Sequence, residues 1–155
     1  MEFVIFIILL FLLIPTVYAT IAGAPIALTN KTQINRVLDS AHLRDGEKFY
    51  DLGTGTGRIM IAAAKRKVDV VGYELSPIFY LATLFNLRLH GIKSYELHCK
   101  NFLQANLKDA DVVYLFLTPR TVNKLKAKLL EELKPGSKVI SHIFEINGWS
   151  PYIVV

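Results

Sequence analysis

The sequence predicts an α/β fold, a doubly wound and mostly parallel sheet, preceded by one transmembrane helix. Three observations carry that expectation. No charge occurs from Phe3 to Asn30, and this stretch opens with an unbroken apolar run, Phe3 to Ile14. From Lys48 onward, short strand-like runs alternate with helical patterns, and two of them, Val68–Val71 and Val112–Leu117, are nearly continuous in apolar residues. Such strands need helices on both faces, which is the mark of a parallel sheet. Finally, a glycine-rich loop, Asp51-Leu52-Gly53-Thr54-Gly55-Thr56-Gly57-Arg58, falls between the first strand and the next helix.

The elements follow in order. Residues 1–22 are read as a membrane anchor, since about twenty apolar residues cross the roughly 30 Å hydrocarbon layer. A cleaved signal peptide competes, because Val17-Tyr18-Ala19 offers small residues at a cleavage position. The anchor is preferred because Glu2 is the only charge before the run and the first basic residues, Lys31, Arg36 and Arg44, all follow it. By the positive-inside rule the domain then faces the cytoplasm from a single-pass anchor.

Residues 23–46 form a linker and a helix capped by Thr29 or Asn30, with Ile34, Val37, Leu38 and Ala41 at helical spacing. Residues 47–155 form the main domain. Its strands are expected at Lys48–Leu52, Val68–Tyr73, Tyr95–Cys99, Asp111–Leu117 and Lys138–His142, with a short last one at Tyr152–Val155. Helices are expected at Arg58–Lys65, at Pro77–His90 with Ser76 as cap and Gly91 at the exit, and from Thr118-Pro119 to the stop at Pro135-Gly136.

The net charge of +5 includes Lys65-Arg66-Lys67 and Lys124, Lys126, Lys128. These read as solvated helix faces rather than a nucleic-acid track; anionic lipid is their first candidate partner. A single cysteine, Cys99, excludes an internal disulfide and is expected as a small core residue in its strand. His42, His90, His98 and His142 are dispersed without ligand spacing, so no metal is expected.

The glycine loop carries the chemistry. Glycines at positions 53, 55 and 57 allow a tight turn and let a ligand lie against the main chain. Glu74 ends the second strand, where a carboxylate accepts from both ribose hydroxyls of an adenosine moiety. Both features would also serve a nicotinamide dinucleotide. However, G-x-G-x-G introduced by an acid suits a cofactor without phosphates, whose cationic amino-acid end is drawn to Asp51.

These residues resemble class I S-adenosylmethionine-dependent methyltransferases over about Asp51 to Ile143. The resemblance implies a Rossmann-like methyltransferase sheet that binds S-adenosylmethionine through Asp51, Gly53, Thr54, Gly55, Gly57 and Glu74. Asn101, in Lys100-Asn101-Phe102, falls at the adenine-binding corner, where an acid is commoner. Gly23-Ala24-Pro25, Tyr50 to Ile59, Gly72-Tyr73-Glu74, Asp111 to Leu117 and Gly148-Trp149-Ser150-Pro151 resemble a smaller family. It comprises membrane-associated protein-lysine methyltransferases acting on the c subunit of ATP synthase and the adenine nucleotide translocase. The resemblance implies methyl transfer to a lysine amine of a membrane protein. Thr54 and Thr56 stand where that family usually has Ser and Asp, and the chain ends at Val155, before its usual final strand.

Leu117-Thr118-Pro119-Arg120 replaces the Asn-Pro-Pro-Tyr type signature of nucleobase amine methyltransferases, which argues against adenine methylation. Thr118 and Pro119, after the fourth strand, are the candidates for the substrate side of the pocket, and Trp149 is read as packing. No general base is named. Methylation of a lipid or small molecule, or a non-enzymatic or dinucleotide-binding module on the same sheet, are the alternatives.

Overall fold

A computed structural model describes residues 1–22 and 30–154. Its first two helices are α1 (Glu2–Ala22) and α2 (Lys31–Ser40). Asn30 caps α2 through a capping box: its side chain accepts from the Gln33 amide, and Gln33 accepts from the Asn30 amide. The strands β1 (Lys48–Leu52), β2 (Asp69–Tyr73), β3 (Glu96–His98), β4 (Val112–Leu115) and β5 (Lys138–Ser141) alternate with α3 (Arg58–Ala64), α4 (Pro77–Leu89) and α5 (Pro119–Glu132). Ser76 caps α4 by accepting from the Phe79 amide, with Pro77 in the first turn. A short 3-10 turn, Phe102–Gln104, follows β3; nothing in the hydrophobic pattern signalled it.

The sheet order is β3-β2-β1-β4-β5, and every described pair is parallel. One face packs Phe49, Val70, Val112 and Tyr114 against Ile34, Leu38, Ile59, Met60 and Leu87 from α2, α3 and α4. The other packs Tyr50, Leu52, Val113 and Leu115 against Val122, Leu125 and Leu129 of α5, with Trp149 partly buried beside them. Two covered faces explain why the central strands read as apolar runs instead of alternating ones.

Two expectations need correction. Tyr152–Val154 form no strand, because no further strand of the described residues pairs with β5, and Val155 lies outside them. Cys99 is exposed rather than in the core: β3 ends at His98, and the chain has left the sheet by the next residue.

The apolar N-terminus forms α1, 21 residues long, with Phe3, Phe6, Leu9 and Leu13 exposed. Its side chains at positions 8, 11, 12, 15, 16 and 18–22 lie outside the described residues, as do residues 23–29 with Gly23-Ala24-Pro25. The anchor expectation finds its helix but not its span: among the described residues no helix is long and apolar enough to cross a membrane. α1 packs against α4.

Candidate cofactor site

The strand order reverses between β1 and β4, and in open α/β sheets the carboxyl ends of the strands at such a switch point are where ligands bind. Asp51 and the glycine loop leave β1 there, Glu74 follows β2, Asn101 follows β3, and Thr118 and Pro119 follow β4. The fold therefore brings every site residue read from the sequence to one edge of the sheet.

Gly53, Gly55 and Gly57 have φ of 96°, 56° and 78°, a region that side chains disfavour. Gly57 is doubly constrained, since a Cβ there would lie 2.8 Å from Thr83 Cγ2. The loop is tied to β2 by the Gly53 and Thr54 amides, which both donate to the Tyr73 carbonyl, at 2.9 and 3.2 Å. From below, α4 clamps it: Thr83 Oγ1 donates to the Gly55 carbonyl at 2.8 Å, and Asn86 Nδ2 to the Thr56 carbonyl at 3.0 Å. With the Thr83 proton so committed, Thr54 is the donor in the 3.2 Å pair between the two hydroxyls.

Sequence reasoning missed Thr83 and Asn86. Their signal was available: they are uncharged polar positions three apart, on the face of Leu87, in a mostly apolar helix.

Asp51 is 2% exposed and its Oδ2 has no hydrogen-bond partner. Burial, then the charge of Glu74, push its carboxyl up to about 7, opposed by the Met60 amide in the first turn of α3. An unsatisfied carboxylate oxygen in this position costs free energy unless a donor arrives, and a cationic one suits it best. The ammonium of an amino-acid moiety is such a donor, so the cradle fits the amino-acid end of S-adenosylmethionine.

Glu74, 6% exposed, accepts from the Gly55 amide through Oε2 and the Ser76 amide through Oε1, both at 2.8 Å. Burial raises its pKa, and these amides offset part of that rise. Each oxygen keeps a second acceptor site for a ribose hydroxyl. Glu74 thus has a structural role, bridging loop and strand end, beside the expected binding role. Asn101 Oδ1 accepts from the Leu103 amide at 2.9 Å, capping the 3-10 turn, and its second lone pair is the acceptor for the adenine amine that the sequence expects.

Thr118 is half-buried with its hydroxyl 3.1 Å from that of Thr121, and Pro119 is exposed as the first residue of α5. Beside them, Phe116 meets His142 edge-on at 4.8 Å, and burial holds His142 below its ordinary range. Among the described residues no group of histidines, cysteines and acids could hold a metal ion.

Comparison with known proteins agrees with this geometry. Residues 51–153 match the model of the ANTKMT methyltransferase domain. A protein-lysine N-methyltransferase of Saccharolobus islandicus is 37% identical over 134 residues, 84% of this chain and 83% of that protein. The adenine nucleotide translocase lysine N-methyltransferase of Mus musculus is 37% identical over 79% of this chain. The Homo sapiens lysine N-methyltransferase named for the c subunit of ATP synthase is 30% identical over 82% of it. The chain spans about half the length of the mouse and human relatives, 54% of each.

Among solved structures, an RNA methyltransferase of Salinibacter ruber in complex with S-adenosyl-L-homocysteine superposes with a TM-score of 0.80. It is 34% identical, covering 83% of this chain and 86% of that one. An acid-led glycine loop, a buried carboxylate short of one donor and a second acid at the end of β2 are what a sulfonium amino-acid nucleoside requires. The chain belongs to the ANTKMT methyltransferase family and is an S-adenosylmethionine-dependent methyltransferase.

Proposed function

We propose that the chain methylates a lysine amine of a membrane protein while α1 holds it at the bilayer. The observation that carries the lysine is the 37% identity to the Saccharolobus protein-lysine methyltransferase across most of both chains. The membrane part is supported by the sequence of α1, which holds the unbroken apolar run Phe3–Ile14 and no charge after Glu2. The mouse and human relatives are named for membrane proteins, which points to a substrate of the same kind. With Lys31, Arg36 and Arg44 following the apolar segment, the domain faces the cytoplasm.

S-adenosylmethionine, when bound, supplies a methyl group already activated by its sulfonium. The chain's part is to hold and to exclude. Asp51 takes the cationic amino-acid end, the positive-φ glycines let the main chain approach, and Glu74 accepts from the ribose. With the carboxyl ends of β1 and β2 taken up in this way, those of β4 and β5 are left to the acceptor. A lysine ammonium must lose a proton before it can attack, and neutrality at pH 7 costs about 4.6 kcal/mol from a pKa near 10.4. Phe116 and the uncharged His142 provide the low-polarity surroundings that lower an amine's pKa. Thr118 offers a hydroxyl that can orient the amine, and alignment of that kind is the main rate contribution available.

The test is transfer of a labelled methyl group into a membrane fraction that is then separated into protein, lipid and RNA. Label in protein, recovered as methyl-lysine, is the expected result. Label in lipid favours the small-molecule alternative, and label in RNA would place the chain with the activity named for the Salinibacter protein. Removal of residues 1–22 should leave cofactor affinity within a few-fold while slowing methylation of the embedded target far more, because tethering raises the effective concentration of the two partners.

A further inference from the structure

We propose that the outer face of α4 is a bilayer-docking surface, seated in the headgroup and acyl boundary of the membrane that α1 enters. The inference rests on the membrane reading of α1. Ile78, Leu81, Phe85 and Leu89 are 41, 55, 65 and 68% exposed. At 100° per residue they fall within an arc of about 80° and form one stripe along the helix. Thr83 and Leu87, both fully buried, occupy the opposite side.

Four large apolar side chains in a line are unusual for a surface that meets only water. The occupant is argued from three further features. α1 packs against α4 and presents its own exposed Phe3, Val4, Phe6, Leu9 and Leu13, so α4 adds its stripe to a helix that is already apolar. No acid occurs among the 13 residues of α4, and its one charge, Arg88, flanks the stripe, where it can reach lipid phosphate while its stem stays in the apolar layer. The length of α4, about 20 Å, lets the whole stripe lie in the plane of the interface.

The inner side of the same helix holds the cofactor loop through Thr83 and Asn86. Docking therefore brings the glycine loop to within about one helix diameter, 10–12 Å, of lipid. A lysine emerging from a membrane-embedded target would meet the reactive edge there, which gives the membrane substrate a structural basis beyond the tether.

The experiment uses the full chain carrying Phe85→Trp, with the native Trp149 as reference, in vesicles of phosphatidylcholine and phosphatidylglycerol. The vesicles are made with and without brominated acyl chains. The expected result is that the introduced indole loses emission in brominated vesicles and is shielded from aqueous acrylamide, with Trp149 unaffected by bromine. Three results would overturn the proposal. Vesicle-bound protein whose introduced indole stays open to acrylamide and untouched by bromine would leave the tether standing and remove the docking face. Shielding from both quenchers would assign the stripe to a protein partner or a second copy. Failure of the full chain to bind vesicles at all would remove the membrane reading together with this inference.

Discussion

The two edges of the sheet treat their acids in opposite ways. At the amino edge, Asp109 meets Lys48 at 2.7 Å and Asp111 meets Lys134 at 2.6 Å, and these partners hold both carboxyls below their ordinary range. At the carboxyl edge, Asp51 and Glu74 are buried among backbone amides instead, and burial raises both. Acids paired with lysines at one edge need nothing more from outside. Buried acids held by amides carry a cost that a cationic ligand relieves, so the contrast separates structural charge from functional charge.

The largest effect is expected where the carboxyl edge is sterically tightest. Gly57→Ala places a Cβ 2.8 Å from Thr83 Cγ2 at φ of 78°. Left-handed strain and overpacking together should lower stability by about 2–5 kcal/mol, read as a fall in the denaturation midpoint. A variant as stable as the parent would mean that α4 does not clamp the loop.

Asp51→Asn sharpens the comparison because its two effects have opposite signs. Loss of the carboxylate should weaken cofactor binding by about 2–3 kcal/mol, the range for a hydrogen bond to a charged group with its desolvation. Stability should move the other way. A carboxyl at about 7 when folded but near its ordinary value when unfolded binds the extra proton in the folded state between those values. Stability therefore falls as pH rises from about 4 through 7, and the penalty is complete above that. Above pH 7, Asp51→Asn should be more stable than the parent by an amount on the order of a few kcal/mol. Parental affinity for the homocysteine product should weaken below pH 7, and the variant should show a flatter profile, both measurable by calorimetry.

Asp111→Asn is the counterpart at the amino edge. Asp111 also accepts from the Lys48 amide at 2.8 Å, and its lowered pKa contributes stability above its ordinary value that is lost as pH falls through the folded one. The variant should lose about 1 kcal/mol at neutral pH, since the ion pair is partly solvated, and should bind cofactor as the parent does. A change in cofactor affinity would break the division between the edges. Thr118→Val should leave cofactor affinity within about twofold and act on the transfer rate alone.

Much of this division could be read in the sequence. The glycines at 53, 55 and 57 and the acid at 74 are local signals, because turn conformation and the end of a strand are set by neighbouring residues. Ser76, Pro77 and Gly91 fixed α4 for the same reason. What the sequence hid depends on residues distant in the chain. Thr83 reaches back 28 residues to Gly55, and Glu74 grips Gly55 as well as any ligand. Cys99 was misplaced because a strand end is set by pairing, and β3 pairs with β2 only as far as His98.

Calorimetric titration with S-adenosylhomocysteine and with NAD, on the parent and on Asp51→Asn, tests the cofactor assignment most directly. The parent should bind the S-adenosyl ligand and show no heat with NAD, and Asp51→Asn should lose most of that affinity while remaining folded. Binding of NAD without the S-adenosyl ligand, or undiminished binding by Asp51→Asn, would contradict it.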